Sequence, residues 1–220
     1  MLLDWGIIYH YFPFLVKGAL LTLEISIFSL FFGLVFGLIA ALCKLSNNSI
    51  IRNIAVFYIW IIRSTPLLVQ LFIIYFGFPQ FGIDLGPIIS GILGLSLNVG
   101  AYNAETIRGG IISIPMGQTE ASRSLGMSKS LTMKRIILPQ ALKIIMPPLG
   151  NNFIILIKDT SLVSTITVVE LTLTAQRLIG STYKPFEMYL AAAFLYAMLT
   201  TAASFSLGKI EKRMNNQTRR

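Results

Sequence analysis

The sequence holds one cysteine, Cys43, and one histidine, His10, in 220 residues. One thiol cannot close an internal disulfide, and one thiol with one imidazole cannot assemble a Cys/His zinc cluster. Charge is scarce as well. Only 12% of residues are Asp, Glu, Lys or Arg, about half of what a soluble domain carries. There is no GxxxxGK[ST] phosphate loop; the nearest segment, "GMSKS", lacks both glycines that the loop needs, so the chain has no such cradle for ATP. With the lone histidine near the N-terminus, no nucleophile-base pair is evident and no enzyme is predicted. The chain opens on Met-Leu-Leu-Asp without a basic start, so the first apolar span is expected to act as an uncleaved signal.

What is abundant is uninterrupted apolar length. The chain is 55% hydrophobic, with a mean hydropathy of +0.74. Ile25 to Leu42, Ser64 to Ile83, Leu85 to Ala104 and Met188 to Gly208 carry no charge. Each reaches the roughly 18 to 20 residues that cross a hydrocarbon core of about 30 Å. A fifth run, Ile144 to Ile157, is shorter and is interrupted at Lys158-Asp159. These runs predict an all-α membrane protein with five transmembrane helices, forming one domain over residues 1–220. Net charge is +9, but its placement argues against nucleic acid. Thirteen basic residues follow spans one, three and five, and three lie on the other side. That bias predicts an N-terminus outside and a cytoplasmic C-terminus in a multi-pass cell-membrane protein.

Local patterns refine this picture. Gly33 and Gly37 have the small-xxx-small spacing that lets helices approach closely. "RSTPLLVQ" sets Arg63, Pro66 and Gln70 on one helical stripe, with a bend at Pro66. Asn98, Tyr102 and Glu105 share another stripe, and Asn152 and Asp159 a third. Pro147-Pro148 is expected to restart a helix. The segment "SRSLGMSKSLTMKRIILPQA", residues 122–141, is unlike its surroundings because it is compact and cationic. Thr119 can cap one short helix with Glu120 in its first turn, and Gly126 can end it. Ser128 or Ser130 can cap a second, closed by Pro139. Two readings fit: an amphipathic segment on anionic lipid, or a rigid cytoplasmic knob that docks a partner.

Glu120-Ala121, Gly126 and Ile136-Ile137-Leu138-Pro139 resemble the EAA loop of the membrane subunits of ATP-binding-cassette importers, with Ser122 where a second alanine is usual. "RSTPLLVQLFIIYFG", "AYNAETIRGGIISIPMGQ" and "NNFIILIKDTSL" resemble the polar amino-acid permeases, the histidine, arginine and glutamine uptake group. The resemblance covers nearly the whole chain and implies a type I importer fold. It also implies that residues from about 116 to 139 form a coupling helix contacting a separate ATPase, with Glu120, Ala121, Ser122, Gly126, Met127, Leu138 and Pro139 as coupling residues. On that reading ATP and Mg belong to the ATPase subunit, and this chain binds no cofactor. Partners implied are the ATPase subunits, a second permease subunit (identical or not) and an external amino-acid-binding protein.

Charges inside apolar spans are costly and mark function by default. Asp159, Asn152, Thr160 and Ser161 are expected to contact the amino-acid substrate, with Asn98, Tyr102, Glu105, Thr65 and Gln70 beside them. Two bland readings compete: Glu105 and Arg108, three apart, can neutralise one another, and Arg63 can be a gate or structural ion pair. The depth acids Glu24, Glu105, Asp159 and Glu170 outnumber the bases Arg63 and Lys158. That surplus predicts a cationic cargo such as arginine, lysine or histidine. Glutamine or glutamate is the alternative, and an ATP-independent channel a more distant one.

Overall fold

The computed structural model describes residues 4–216, so Arg219 and Arg220 of the basic tail lie outside the described residues. The described residues are helical without a strand. α1, Trp5–Lys44, is 40 residues long, or about 60 Å. Asp4 caps its start by accepting from the Ile7 N–H at 3.3 Å. α2, Ser49–Ser64, begins on Asn48, whose Oδ1 accepts from the Ile50 N–H at 2.9 Å. It ends because Thr65 is extended at φ −116°, ψ 144°; a residue before proline is pushed out of the α region by the proline ring.

The chain then turns by 107° into α3, Leu67–Phe72, prolonged by a π-turn and a 3-10 turn to Phe81. Arg63, Pro66 and Gln70 therefore do not share a stripe. The proline breaks the helix instead of bending it, and Gln70 belongs to a separate segment.

α4, Gly86–Ile112, is the innermost helix, with Ser90, Ser96, Asn103 and a ladder of small residues buried. Gly33 and Gly37 of α1 let it approach. A Cβ on Gly37 would stand 2.7 Å from the Asn103 Cβ and 3.0 Å from the Gly100 carbonyl, so any side chain there would push the helices apart. Tyr58 ties α2 to the same helix by donating to the Leu97 carbonyl at 2.7 Å.

α5, Met116–Ser124, starts after Pro115, three residues before the expected cap Thr119. Pro115 is the N-cap, at φ −54° and ψ 133°, so the helix proper begins at Met116 and Glu120 falls beyond the first turn. Gly126 ends α5 in the left-handed region at φ 80°. The Met127 N–H returns to the Ser122 carbonyl at 3.1 Å and the Gly126 N–H to that of Arg123 at 2.9 Å, the paired bonds of a Schellman end. Ser128 caps α6, Lys129–Thr132.

Pro139 does not close that second helix. A π-turn over Met133–Ile137 carries the chain into α7, Leu138–Asp159, with Pro139 in its first turn. The carbonyl that Pro139 would strike in a regular helix is that of Arg135, inside the widened turn. Nor do Pro147 and Pro148 restart a helix, since α7 runs through both. After Asp159 the helix tightens into a 3-10 turn, Thr160–Ile166. α8, Leu171–Thr182, and α9, Pro185–Asn216, complete the fold.

The core is three clusters in succession along α1. Leu15 and Ala19 pack with α8 and α9 at one end. Ile25 packs with Leu71, Leu95 and Leu156 in the middle, and Ala40 and Ala41 pack with Ile59, Ala104 and Ile145 at the other end. α1, the 129–166 helix and α9 are each long and apolar enough to cross a membrane, and the broken α2–α3 pair makes a fourth candidate. α4 has the length at 27 residues; its polar residues are tolerated because other helices, not lipid, cover them.

Candidate functional site

The break after α2 leaves carbonyls without helical partners, and side chains from two segments take them. The Thr65 hydroxyl donates to the Ile61 carbonyl at 2.8 Å. The Gln70 amide nitrogen donates to the Ile62 carbonyl at 2.7 Å, to Thr65 Oγ1 at 2.9 Å and to the Thr65 carbonyl at 3.0 Å. Gln70 Oε1 in turn accepts from Asn98 Nδ2 at 3.0 Å. Beside this junction lies a cavity of about 410 Å³ whose lining includes Thr65, Asn98, Tyr102, Asn152 and Asp159, within the size range of small-ligand sites. Two apolar clefts of about 370 and 500 Å³, on α1–α2 and on α1–α7–α9, carry no charged side chain.

Asp159 ends α7 where the helix tightens, and its half-buried carboxylate has no hydrogen bond or ion pair among the described residues. Asn152, two turns earlier, lines the same cavity and donates its amide to Asn103 Oδ1 at 2.9 Å. Arg63, the last cation of α2, stands 5.2 Å from the ring centre of Tyr102. It has no carboxylate partner among the described residues, so a cation–π contact replaces the expected ion pair. The cavity thus has a free carboxylate in its wall and a guanidinium against one of its lining rings.

Other expected site residues lie elsewhere. Glu105 does not line the cavity; it bridges Lys44 at 2.5 Å and Arg108 at 2.8 Å, locking the end of α1 to α4. The stripe with Asn98 and Tyr102 is real, but the chain ends of α1 reach Glu105 first. Thr160 is fully buried and donates to its own helix at the Ile157 carbonyl, 2.6 Å away. Ser161 lies outside the cavity lining. Gln70 is buried behind Asn98 and does not line the cavity. Glu170 is fully buried and caps α8, accepting from the Leu173 N–H at 3.0 Å, the Tyr196 hydroxyl at 2.6 Å and the Thr22 hydroxyl at 3.2 Å. Asn103 was missed because the Asn98 stripe places it on another face. Its only signal is an amide in an otherwise small and apolar stretch.

The knob presents Glu120, Ala121, Arg123 and Leu125 on its exposed surface, with Gly126 at its end. Ser122 is buried and donates to Thr132 Oγ1 at 3.1 Å, joining α5 to α6. Leu138 and Pro139 are exposed at the start of α7 and Met127 is half-buried between the short helices.

The family model for the inner membrane component of binding-protein-dependent transport systems matches residues 33–216. The chain belongs to that family. It is 42% identical to the nopaline transport system permease NocM of Agrobacterium fabrum, over 92% of this chain and 88% of that one. It is 41% identical to the glutamine transport system permease GlnP of Escherichia coli, over 97% and 99%. Its fold matches a chain in the crystal structure of an amino acid ABC transporter with histidines at a TM-score of 0.92 and 40% identity, covering 97% of this chain and all of that one. The MetNI methionine transporter, at a TM-score of 0.77 and 22% identity, shares the fold. This permease is therefore an all-α membrane subunit of type I importer architecture.

Proposed function

We propose that this permease forms one half of the membrane path of an ATP-driven importer, passing a polar amino acid as its zwitterion. The observation that carries this reading is the charge in and beside the cavity: one unpaired carboxylate in its wall, Asp159, and one guanidinium outside the lining, Arg63, against the lining ring of Tyr102. Asp159 takes the α-ammonium, Asn98 and Asn152 add polar contacts, and Arg63 meets the α-carboxylate. Relatives named for glutamine, cystine and nopaline transport support an amino-acid cargo. The acid surplus behind a cationic cargo is not assembled here. Glu105 and Glu170 are engaged in the fold and Glu24 lies outside the lining. A neutral polar side chain, of the glutamine class, fits the charge that remains.

The family supports the rest of the assembly. A second permease subunit, ATPase subunits holding ATP and Mg, and an external binding protein complete the importer, with the N-terminus outside and the C-terminus cytoplasmic. Residues 116–139 engage the ATPase. The test is competitive uptake of glutamine, glutamate, arginine and histidine by the full complex in liposomes, wild type against Asp159→Asn. If Asp159 holds the α-ammonium, every cargo loses uptake alike, by about ten- to a hundredfold for a lost charge-assisted bond of about 1.5 to 3 kcal/mol. Loss confined to arginine would return the cationic reading, and no loss would remove Asp159 from the path.

A further inference from the structure

Gln70 sits where two unrelated requirements meet. Its amide nitrogen lies among three acceptors, the Ile62 and Thr65 carbonyls and Thr65 Oγ1. Reversing the amide would aim an oxygen at all three, so the sense of this side chain is fixed by the carbonyls of the broken helix. Gln70 Oε1 must then face Asn98, and it accepts from Asn98 Nδ2, 3.0 Å away. Asn98 is consequently fixed too; it lines the cavity, and its Oδ1 makes no hydrogen bond among the described residues while Nδ2 keeps one hydrogen. The Asn103–Asn152 pair carries no such constraint. Asn103 Nδ2 is buried without a partner, so reversing both amides would keep one bond and exchange one orphan for another.

We propose that Gln70, which does not line the cavity, is a specificity-determining positioning residue. It transmits the polarity of the α2 carbonyl end to Asn98, so that Asn98 keeps its Oδ1 acceptor, with one remaining N–H, for the cargo. Next to the Asp159 carboxylate, a second acceptor selects the ammonium end of an amino acid and disfavours the carboxylate end. The break at Pro66 thereby orients the cargo through one intermediate side chain.

This inference rests on the cavity being the cargo site, and the experiment separates the two. Binding of L-glutamine, L-arginine, L-histidine and L-cystine to the permease–ATPase complex in nanodiscs is measured by calorimetry without the external binding protein, and the tightest ligand is kept as probe. Gln70→Met, Asn98→Ala and the double variant form a cycle. Each single change is expected to weaken binding about tenfold, and the double change no further, because Gln70 acts through Asn98. A purely structural role for Gln70 gives additive losses, about a hundredfold in the double variant, and overturns the proposal. Unchanged binding in Gln70→Met overturns it as well.

Asn98→Asp needs no change at Gln70. It adds negative charge facing the ammonium but cannot donate to Gln70 Oε1, so binding is expected to weaken. Tighter or equal binding would show that Asn98 acts without the relay. If Asp159→Asn weakens probe binding while the cycle shows no coupling, the relay alone fails. If no amino acid binds, or Asp159→Asn changes nothing, the cargo-site reading fails and takes the relay with it.

Discussion

Glu170 shows how one residue's meaning depends on its neighbours. In the sequence it is a carboxylate at membrane depth; in the fold it receives an α8 N–H and the hydroxyls of Tyr196 and Thr22. Removing it leaves the Leu173 N–H unpaired, at about 1 to 3 kcal/mol before any relaxation, while Thr22 and Tyr196 keep only the Gly18 carbonyl and the Thr172 hydroxyl. Glu170→Ala should therefore lower the thermal midpoint of the complex in detergent while leaving its ranking of amino acids unchanged. A changed ranking at unchanged stability would place Glu170 in the path after all. Asp159 is the opposite case, since it lies one residue from Lys158 and yet has no bonded partner among the described residues. Its freedom, not its acidity alone, separates it from Glu105.

At the level of the element, two glycine contacts make opposite demands. Gly37 has no room for a Cβ against Asn103 and Gly100, whereas Gly109, on the same α4, has nothing within 4 Å. Gly37→Ala should destabilise by about 1 to 3 kcal/mol through overpacking. Gly109→Ala should be neutral or stabilising by up to about 1 kcal/mol, since alanine favours helix. Unfolding of the two variants side by side checks the α1–α4 contact, and equal stability would contradict it. Gly126 is constrained by its backbone, not by space: no atom lies within 4 Å of its added Cβ, but φ is 80°. A left-handed residue other than glycine costs about 1 to 2 kcal/mol. Gly126→Asp should leave the permease inserted but reduce ATPase retention or substrate-stimulated hydrolysis. Normal stimulated hydrolysis in that variant would remove the α5–α6 corner from coupling.

For the whole molecule, the two ends of the 40-residue α1 are held differently. Lys184 stands 4.0 Å from Asp4 at one end, while Glu105 bridges Lys44 and Arg108 at the other. The second end is the one predicted to face the cytoplasm. In a Cys43→Ser background, a cysteine at Ser46 should react with impermeant maleimide only from the inside, and one at Gly82 only from the outside. The reverse pattern would invert the proposed orientation. The exposed charges Glu24, midway along α1, and Lys158, in the last turn of α7, also have no ion-pair partner among the described residues. Charges so placed favour contact with protein or water over lipid, in keeping with a second permease subunit. Cross-linking of the assembled importer should capture permease pairs, and recovery of monomers alone would count against one.

Apolar run length sets the class and the broad order of helices, because the cost of unpaired backbone in lipid leaves few alternatives to helices for such runs. The glycine stripe of α1, the Gly126 corner and the Asp159–Asn152 stripe were equally legible, since each depends on residues close in the chain and on helical geometry. The proline positions misled. The local backbone separates the two outcomes: at Pro66 the preceding Thr65 is extended and a buried Gln70 takes the released carbonyls, whereas Pro139 follows a π-turn that keeps the helix running. Which membrane-depth acid stays free was also decided by tertiary structure. Lys44 reaches Glu105 from 61 residues away, and Thr22 meets Glu170 across 148. No spacing along the chain encodes those meetings. A carboxylate is open to cargo only where packing supplies no other partner for its charge.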